Sequence, residues 1–235
     1  MPPSNTPVKA VLFDLDDTLW PIVPAIERAE ALMYDWLERH VPAVAREVTI
    51  ESMRARRQAL METDPIYQID LRRLRHAVLA EAFHQHGADP ALVEHAMEVF
   101  SRARNEVQPF DDVVPVLTRL RQRYILGSVS NGVADLKAIG LAHFFHASVA
   151  AYQLGCAKPD PEIFLTACRT LDISPEHAVY VGDDPLLDVK GAQRAGLRAV
   201  WLDRALHPRR PVPADLQPDA VCADLHALHA WLESR

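Results

Sequence analysis

Six aspartates, one lysine and one serine sit where their charges demand an explanation. Asp14, Asp16 and Asp17 follow at once on an apolar run at 10–13 in "KAVLFDLDDTLW". Asp183 and Asp184 stand directly behind a second run in "HAVYVGDD", and Asp188 comes one turn later. Ser130, Asn131 and Gly132 close a third run, and Lys158 precedes Pro159, which favours extended backbone at the lysine. Two carboxylates about 4 Å apart repel by roughly 4 kcal/mol at an effective dielectric near 20. That is a large fraction of a domain's stability. Acids at the ends of buried strands therefore need a positive partner. Oxygen-only ligands of this kind suit a hard cation such as Mg²⁺, and Lys158 supplies a further charge. A serine hydroxyl and backbone N–H groups hold phosphate oxygens. Two aspartates two residues apart can divide the labour, one attacking and the other moving protons.

The elements that must position these residues are readable. Apolar runs at 9–14, 124–129, 146–151, 178–181 and 197–203 read as strands. They alternate with helical segments, which implies a doubly wound, mostly parallel (Rossmann-like) α/β sheet. Asp160–Pro161 and Asp184–Pro185 each predict a helix start, with the aspartate as cap and the proline in the first turn. Gly196 ends the second of these helices. A short strand near 220–222 and a last helix from Asp224 complete the α/β part, after a proline-rich loop, "HPRRPVPADLQP". Between 21 and 107 the texture is different. Apolar residues recur at helical spacing, as in Ile26, Ala29, Leu32, Met33 and Trp36, and predict helices at 23–40, 48–62, 70–86 and 90–105. The expected organisation is a discontinuous α/β core at 1–20 and 108–235, interrupted after its first strand by a helical cap at 21–107. In such sheets ligands bind beyond the carboxyl ends of the strands, where all the residues above fall.

Bulk properties exclude other classes. The 235 residues are 49% hydrophobic and 24% charged, an ordinary globular composition. A net charge of −7 argues against nucleic acid or an anionic membrane as partner. No run is long enough to predict a transmembrane helix. The N-terminal residues lack the pattern of a signal peptide. Cys156, Cys168 and Cys222 form no paired motif and fit a reducing compartment, so the expected location is the cytoplasm.

"DLDDT", "SVSNG", "KPDPEIF" and "VGDDPLLD" resemble, in order, the four motifs of the haloacid dehalogenase-like phosphohydrolases. The resemblance implies a Mg²⁺-dependent phosphomonoesterase acting on a small phosphorylated metabolite, as a monomer or homodimer. It implies Asp14 as the nucleophile that becomes an aspartyl phosphate, and Asp16 as the general acid/base, its backbone carbonyl contacting the metal. Asp183 would be a direct metal ligand. Asp188 would bind through water or orient Lys158. Ser130 and the Asn131 N–H would hold the phosphate, and Lys158 would stabilise the phosphate and the nucleophile. The helical block corresponds to the superfamily's type 1 cap. A finer likeness, carried by "ETDPIYQIDLRRLRHAVLAEAF", "VSNGVADL" and "VGDDPLLDVKGAQRAG", is to bacterial phosphatases of FMN and of the phosphorylated ribitylaminouracil intermediate. Phosphoglycolate or sugar phosphatase, phosphomutase, 2-haloacid dehalogenase and a non-catalytic binding module are the alternatives.

The remaining signals have mostly structural readings. Asp17 and Asp184 are expected to cap or hydrogen-bond turns. Trp20 and Tyr67 are candidates for stacking on a substrate ring. Arg54 with Arg57, and Arg72 with Arg75, share helix faces. They are expected to be solvated and to pair with Glu51, Asp70 or Glu81, or else to reach an anionic substrate. The eleven histidines show no zinc spacing.

Overall fold

The computed structural model describes residues 6–206, 212 and 214–234. Half of the expected proline-rich loop, residues 207–211 and 213, lies outside that set. The chain divides into two compact units. One comprises the described residues up to Pro21, 108–132 and those from Gly140 onward; the other comprises 22–107 and 133–139.

The first unit is built on six parallel strands: β1 (Ala10–Phe13), β2 (Ile125–Ser130), β3 (Ala147–Ala150), β4 (Ala178–Gly182), β5 (Arg198–Leu202) and β6 (Ala220–Cys222). Their order is β3-β2-β1-β4-β5-β6, a doubly wound sheet. Every residue of β1 and β4 is buried. This is why their sequences read as unbroken apolar runs rather than alternating ones. The chain moves outward from β1 to β2 and β3, then returns to pair β4 on the other side of β1. The switch point therefore lies between β1 and β4, whose carboxyl ends carry Asp14 and Asp183.

The helices start where their caps predict. Asp160 accepts from the Glu162 N–H ahead of helix Pro161–Thr170. Asp224 accepts from the Ala227 N–H ahead of helix Leu225–Glu233. Asp184 Oδ1 accepts from both Leu186 and Leu187 N–H, but the turn it caps, Pro185–Lys190, is π-helical. That wider winding hands over to a short α-helix at Gly191–Arg194, and Gly196 then takes positive φ.

The second unit packs four main helices, Ile22–His40, Ile50–Met61, Leu71–Gln85 and Leu92–Arg104, around an apolar core. Its centre is Met33, Leu37, Phe83, Ala96 and Met97, all buried to within 1%. Thr49 and Ser52 form a reciprocal capping box at the start of the second helix. Segment 133–139 groups with these helices, outside the range expected from texture alone. Asn105 accounts for part of this, because its side-chain oxygen accepts from the Asp135 N–H. Among the described residues no helix is long and apolar enough to cross a membrane.

Candidate active site at the strand ends

β1 and β4 run in register, Phe13 opposite Val181, so the residues that follow them meet. Asp14, Asp183 and Asp188 each offer a carboxylate oxygen, and these atoms lie within 4.8 Å of one another. Asp188 reaches this group because position 182 is glycine: a Cβ there would overlap the Asp188 carboxylate. Lys158 is the counter-charge. Its Nζ is 2.5 Å from Asp14 Oδ1 and 2.6 Å from Asp188 Oδ1.

These groups are almost dry, with Asp14 and Lys158 each 6% exposed and Asp188 1%. Burial pushes the Asp14 carboxyl well above the usual range; Lys158 opposes this, and Asp188 and Asp183 reinforce it. Burial alone would lower the Lys158 ammonium, but Asp14 and Asp188 outweigh it and hold the lysine charged. Lys158 thus serves two of the three neighbouring carboxylates. Three carboxylates whose oxygens gather this closely are a donor set that suits a hard divalent ion.

The other expected residues surround this core. Ser130 ends β2, nearly buried, and its Oγ accepts from the Gly132 N–H, which leaves its own proton to donate. Asn131 spends its side chain on Lys158: Nδ2 donates to the lysine carbonyl at 3.0 Å, and Oδ1 accepts the lysine N–H at 2.8 Å. That leaves its backbone N–H and the second Nδ2 hydrogen as donors. The Lys158–Pro159 bond is cis. Asp16 is less buried than Asp14, and its Oδ1 accepts from the Trp20 indole N–H at 2.9 Å. The turn is closed by Asp17, which takes φ 61 and donates its N–H to Trp20 O. Aspartate tolerates that left-handed conformation better than most residues. Trp20 itself is a correction. The sequence suggested a stacking surface for substrate, but the side chain is fully buried, and its polar edge is used to hold Asp16.

Several contributors were not anticipated. The Thr18 hydroxyl lies 3.4 Å from both Asp14 Oδ2 and Asp183 Oδ1. Tyr180 OH accepts from Lys158 Nζ at 3.0 Å and lies 2.9 Å from Val129 O and 3.2 Å from Asp188 Oδ1. Burial and Asp188 raise its phenol, so it stays protonated. The Trp201 indole N–H donates to Asp183 O. Behind the turn at 14–20, Arg204 Nε donates to Thr18 O at 2.9 Å, while Nη2 reaches both oxygens of Asp112 at 3.1 and 3.0 Å. The same guanidinium lies over the Phe110 ring, whose backbone N–H donates to Leu19 O. A buried tyrosine hydroxyl needs a partner. Tyr180, in the middle of a wholly apolar strand, was the one signal that sequence could have offered.

The arginines of the helical unit also differ from expectation. Arg72 pairs with Glu94, and Arg56 with Glu81. Arg54, Arg57 and Arg75 all converge on Glu30, so they are not a solvated face.

Comparison with known proteins agrees with this architecture. Residues 8–196 match the model of the haloacid dehalogenase-like hydrolase family. A glyceraldehyde 3-phosphate phosphatase from Methanopyrus kandleri is 35% identical over 217 residues, covering 84% of each chain. The 5-amino-6-(5-phospho-D-ribitylamino)uracil phosphatase YigB of Escherichia coli is 29% identical over 199 residues, covering 83% of each. Among solved structures, a 2-haloacid dehalogenase from Pseudomonas syringae pv. Tomato DC3000 superposes with a TM-score of 0.89 at 38% identity, covering 97% of this chain and 99% of that one. With its strand order and its four motifs in place, the chain belongs to the haloacid dehalogenase-like hydrolases.

Proposed function

We propose that the chain is a Mg²⁺-dependent phosphomonoesterase of small phosphorylated metabolites. The observation that carries this reading is the acid cluster: Asp14, Asp183 and Asp188 bring carboxylate oxygens within 4.8 Å of one another at the strand ends. Asp14, Asp183 and Asp188, with the backbone carbonyl of Asp16, would hold the ion. When bound, it neutralises the carboxylates and the incoming phosphate.

The chain's own residues do the rest. An Asp14 carboxylate oxygen attacks phosphorus as the bond to the leaving oxygen breaks, and Asp16 gives that oxygen its proton. Asp16, now a carboxylate, takes a proton from water as the water attacks the aspartyl phosphate. Inorganic phosphate leaves and Asp14 is regenerated. Ser130 and the Asn131 N–H hold the phosphate oxygens, and Lys158 stabilises their charge. Trp20 keeps Asp16 turned for proton transfer. The helical unit acts as a cap that selects the leaving group.

The dehalogenase likeness supports a second reading, in which Asp14 displaces halide from a 2-haloacid. That reaction needs neither a cation nor an acid at position 16, so it leaves the acid cluster and the Trp20–Asp16 bond without a task. The finer substrate reading, FMN or a ribityl phosphate, rests on the cap likeness and the relationship to YigB. The deciding experiment is phosphate release from FMN, phosphoglycolate, phosphoserine, glyceraldehyde 3-phosphate and nucleotides, each with Mg²⁺ and with EDTA. Mg²⁺-dependent release is expected. Chloride release from 2-chloropropionate in EDTA, with no phosphate released from any ester, would replace this reading with the dehalogenase.

A further inference from the structure

Outside the strand-end site, the most unequal cluster of charge lies inside the helical unit. Glu30, on helix Ile22–His40, has 1% of its side chain exposed. Arg54 Nη2 approaches its Oε2 at 2.6 Å. Arg57 Nη2 and Arg75 Nη1 approach its Oε1 at 2.5 and 3.3 Å. Arg54 is half exposed and feels two further acids, Glu27 and Glu51. Arg57 and Arg75 are only 13% and 11% exposed, and among the described residues the acid that bears on them is Glu30. Two buried guanidiniums therefore share a single carboxylate oxygen, and one positive charge is left over where hydration is poor. Buried charge without a partner is costly. Arg75 registers that cost: burial, then repulsion from Arg57, brings its guanidinium down to about 10 despite the attraction of Glu30.

The donors are equally unspent. A guanidinium carries five N–H groups in a rigid plane. Glu30 takes one nitrogen from each of the two buried arginines. The Arg75 guanidinium carbon also lies over the Phe100 ring, 3.6 Å from its centroid. Among the described residues no nitrogen of Arg57 or Arg75 is both sealed from solvent and without a partner, so their unused N–H groups keep some contact with solvent. Neutralising Glu30 needs one guanidinium. Three, two of them largely buried, gather more N–H donors than one carboxylate can use, each a planar fork of the kind that suits an oxyanion.

We propose that Arg57 and Arg75, with Arg54 at the rim, form an oxyanion-binding site in the helical unit, taking a carboxylate or phosphate group. The source is either a free inorganic anion or an anionic group carried by a metabolite. The site stands independently of the phosphatase reading.

The test is isothermal titration of the full chain with sodium sulfate in EDTA, which needs no turnover and therefore survives failure of that reading. Sulfate binding is expected in the wild type and in Ser130→Ala, and at least about tenfold weaker in Arg57→Gln. Glu30→Gln should act in the opposite sense. Removing the competing carboxylate should tighten sulfate binding, and sulfate should restore the lowered melting temperature of that variant. Orphaned guanidiniums attract sulfate in Glu30→Gln whatever their native role, so the deciding comparison is wild type against Arg57→Gln, which a cluster existing only to neutralise Glu30 expects to bind sulfate equally. Equal sulfate binding in the wild type and Arg57→Gln, or a destabilised Glu30→Gln that sulfate does not rescue, overturns the proposal. The source is read from KM. A rise in Arg57→Gln for phosphoserine but not for p-nitrophenyl phosphate assigns the site to a substrate group; unchanged KM with lost sulfate binding assigns it to a free anion.

Discussion

The two units contain charge clusters of opposite composition. At the strand ends, three carboxylates gather within 4.8 Å of one another and Lys158 pairs with two of them. In the helical unit, three guanidiniums converge on one carboxylate. Each cluster has a buried counter-charge facing more groups of the opposite sign. A buried pair made only for stability would be balanced, because leaving charge uncompensated costs more than the pair returns. Imbalance at both places, with opposite sign, suggests complementary ligands: a cation for the first and an anion for the second.

The comparison can be broken most severely at Asp14. Asp14→Asn should lower kcat by about 10⁴-fold or more, since it removes the attacking atom. Lys158 keeps Asp188 as partner, so the melting temperature should change little. Near wild-type turnover would remove the strand-end cluster from catalysis. Next is Glu30→Ala, which leaves three guanidiniums facing one another; denaturant unfolding should show a loss of about 3–5 kcal/mol. A loss below 1 kcal/mol would mean that the arginines were never in conflict. The third effect is cation binding. Saturating Mg²⁺ at a hundred times Kd should stabilise the wild type by about 2.7 kcal/mol, and Asp183→Asn by much less. Equal shifts in both would place the ion elsewhere.

A smaller effect is expected at Arg204. Lysine there cannot reach Thr18 O and both Asp112 oxygens at once. Arg204→Lys should cost about 1–3 kcal/mol and slow turnover several-fold without changing KM. Loss confined to KM would point to substrate contact instead. A pH effect belongs to Cys168, which lies outside both clusters. Burial pushes its thiol up to about 11, against about 8.5 in the unfolded chain. The folded state binds the extra proton in that window. The associated stability is present below pH 8.5 and is lost as pH rises through 11. Stability should fall less steeply over this range in Cys168→Ala; identical slopes would contradict the assignment.

Much of the strand-end cluster was legible because its residues follow apolar runs directly, and a parallel sheet brings such positions to one rim. The caps Asp160, Asp184 and Asp224 were legible for a local reason: their bonds span two or three residues. What escaped depends on pairing across long sequence distances. Nothing local tells Trp20 to bury its ring and hold Asp16 rather than face a ligand. Nothing near Arg204 names Asp112 or Thr18. The arginines at 54, 57 and 75 look like solvent-facing charges within their own helices. The overlooked signal was Glu30, an acid on the stripe that also carries Met33 and Leu37; such an acid must find a cation when the helix packs.

The two hydrogen bonds between the Asn131 side chain and the Lys158 backbone have a thermodynamic consequence. They join the turn that carries Ser130 to the segment that carries the lysine, so the two move as one body. The conformational entropy of bringing hydroxyl and ammonium together is lost once, when the chain folds. It need not be lost again each time a ligand arrives. A hydrophobic residue at 131 would leave Ser130 and Lys158 chemically intact but free to wander apart, turning a fixed cradle into a fluctuating one.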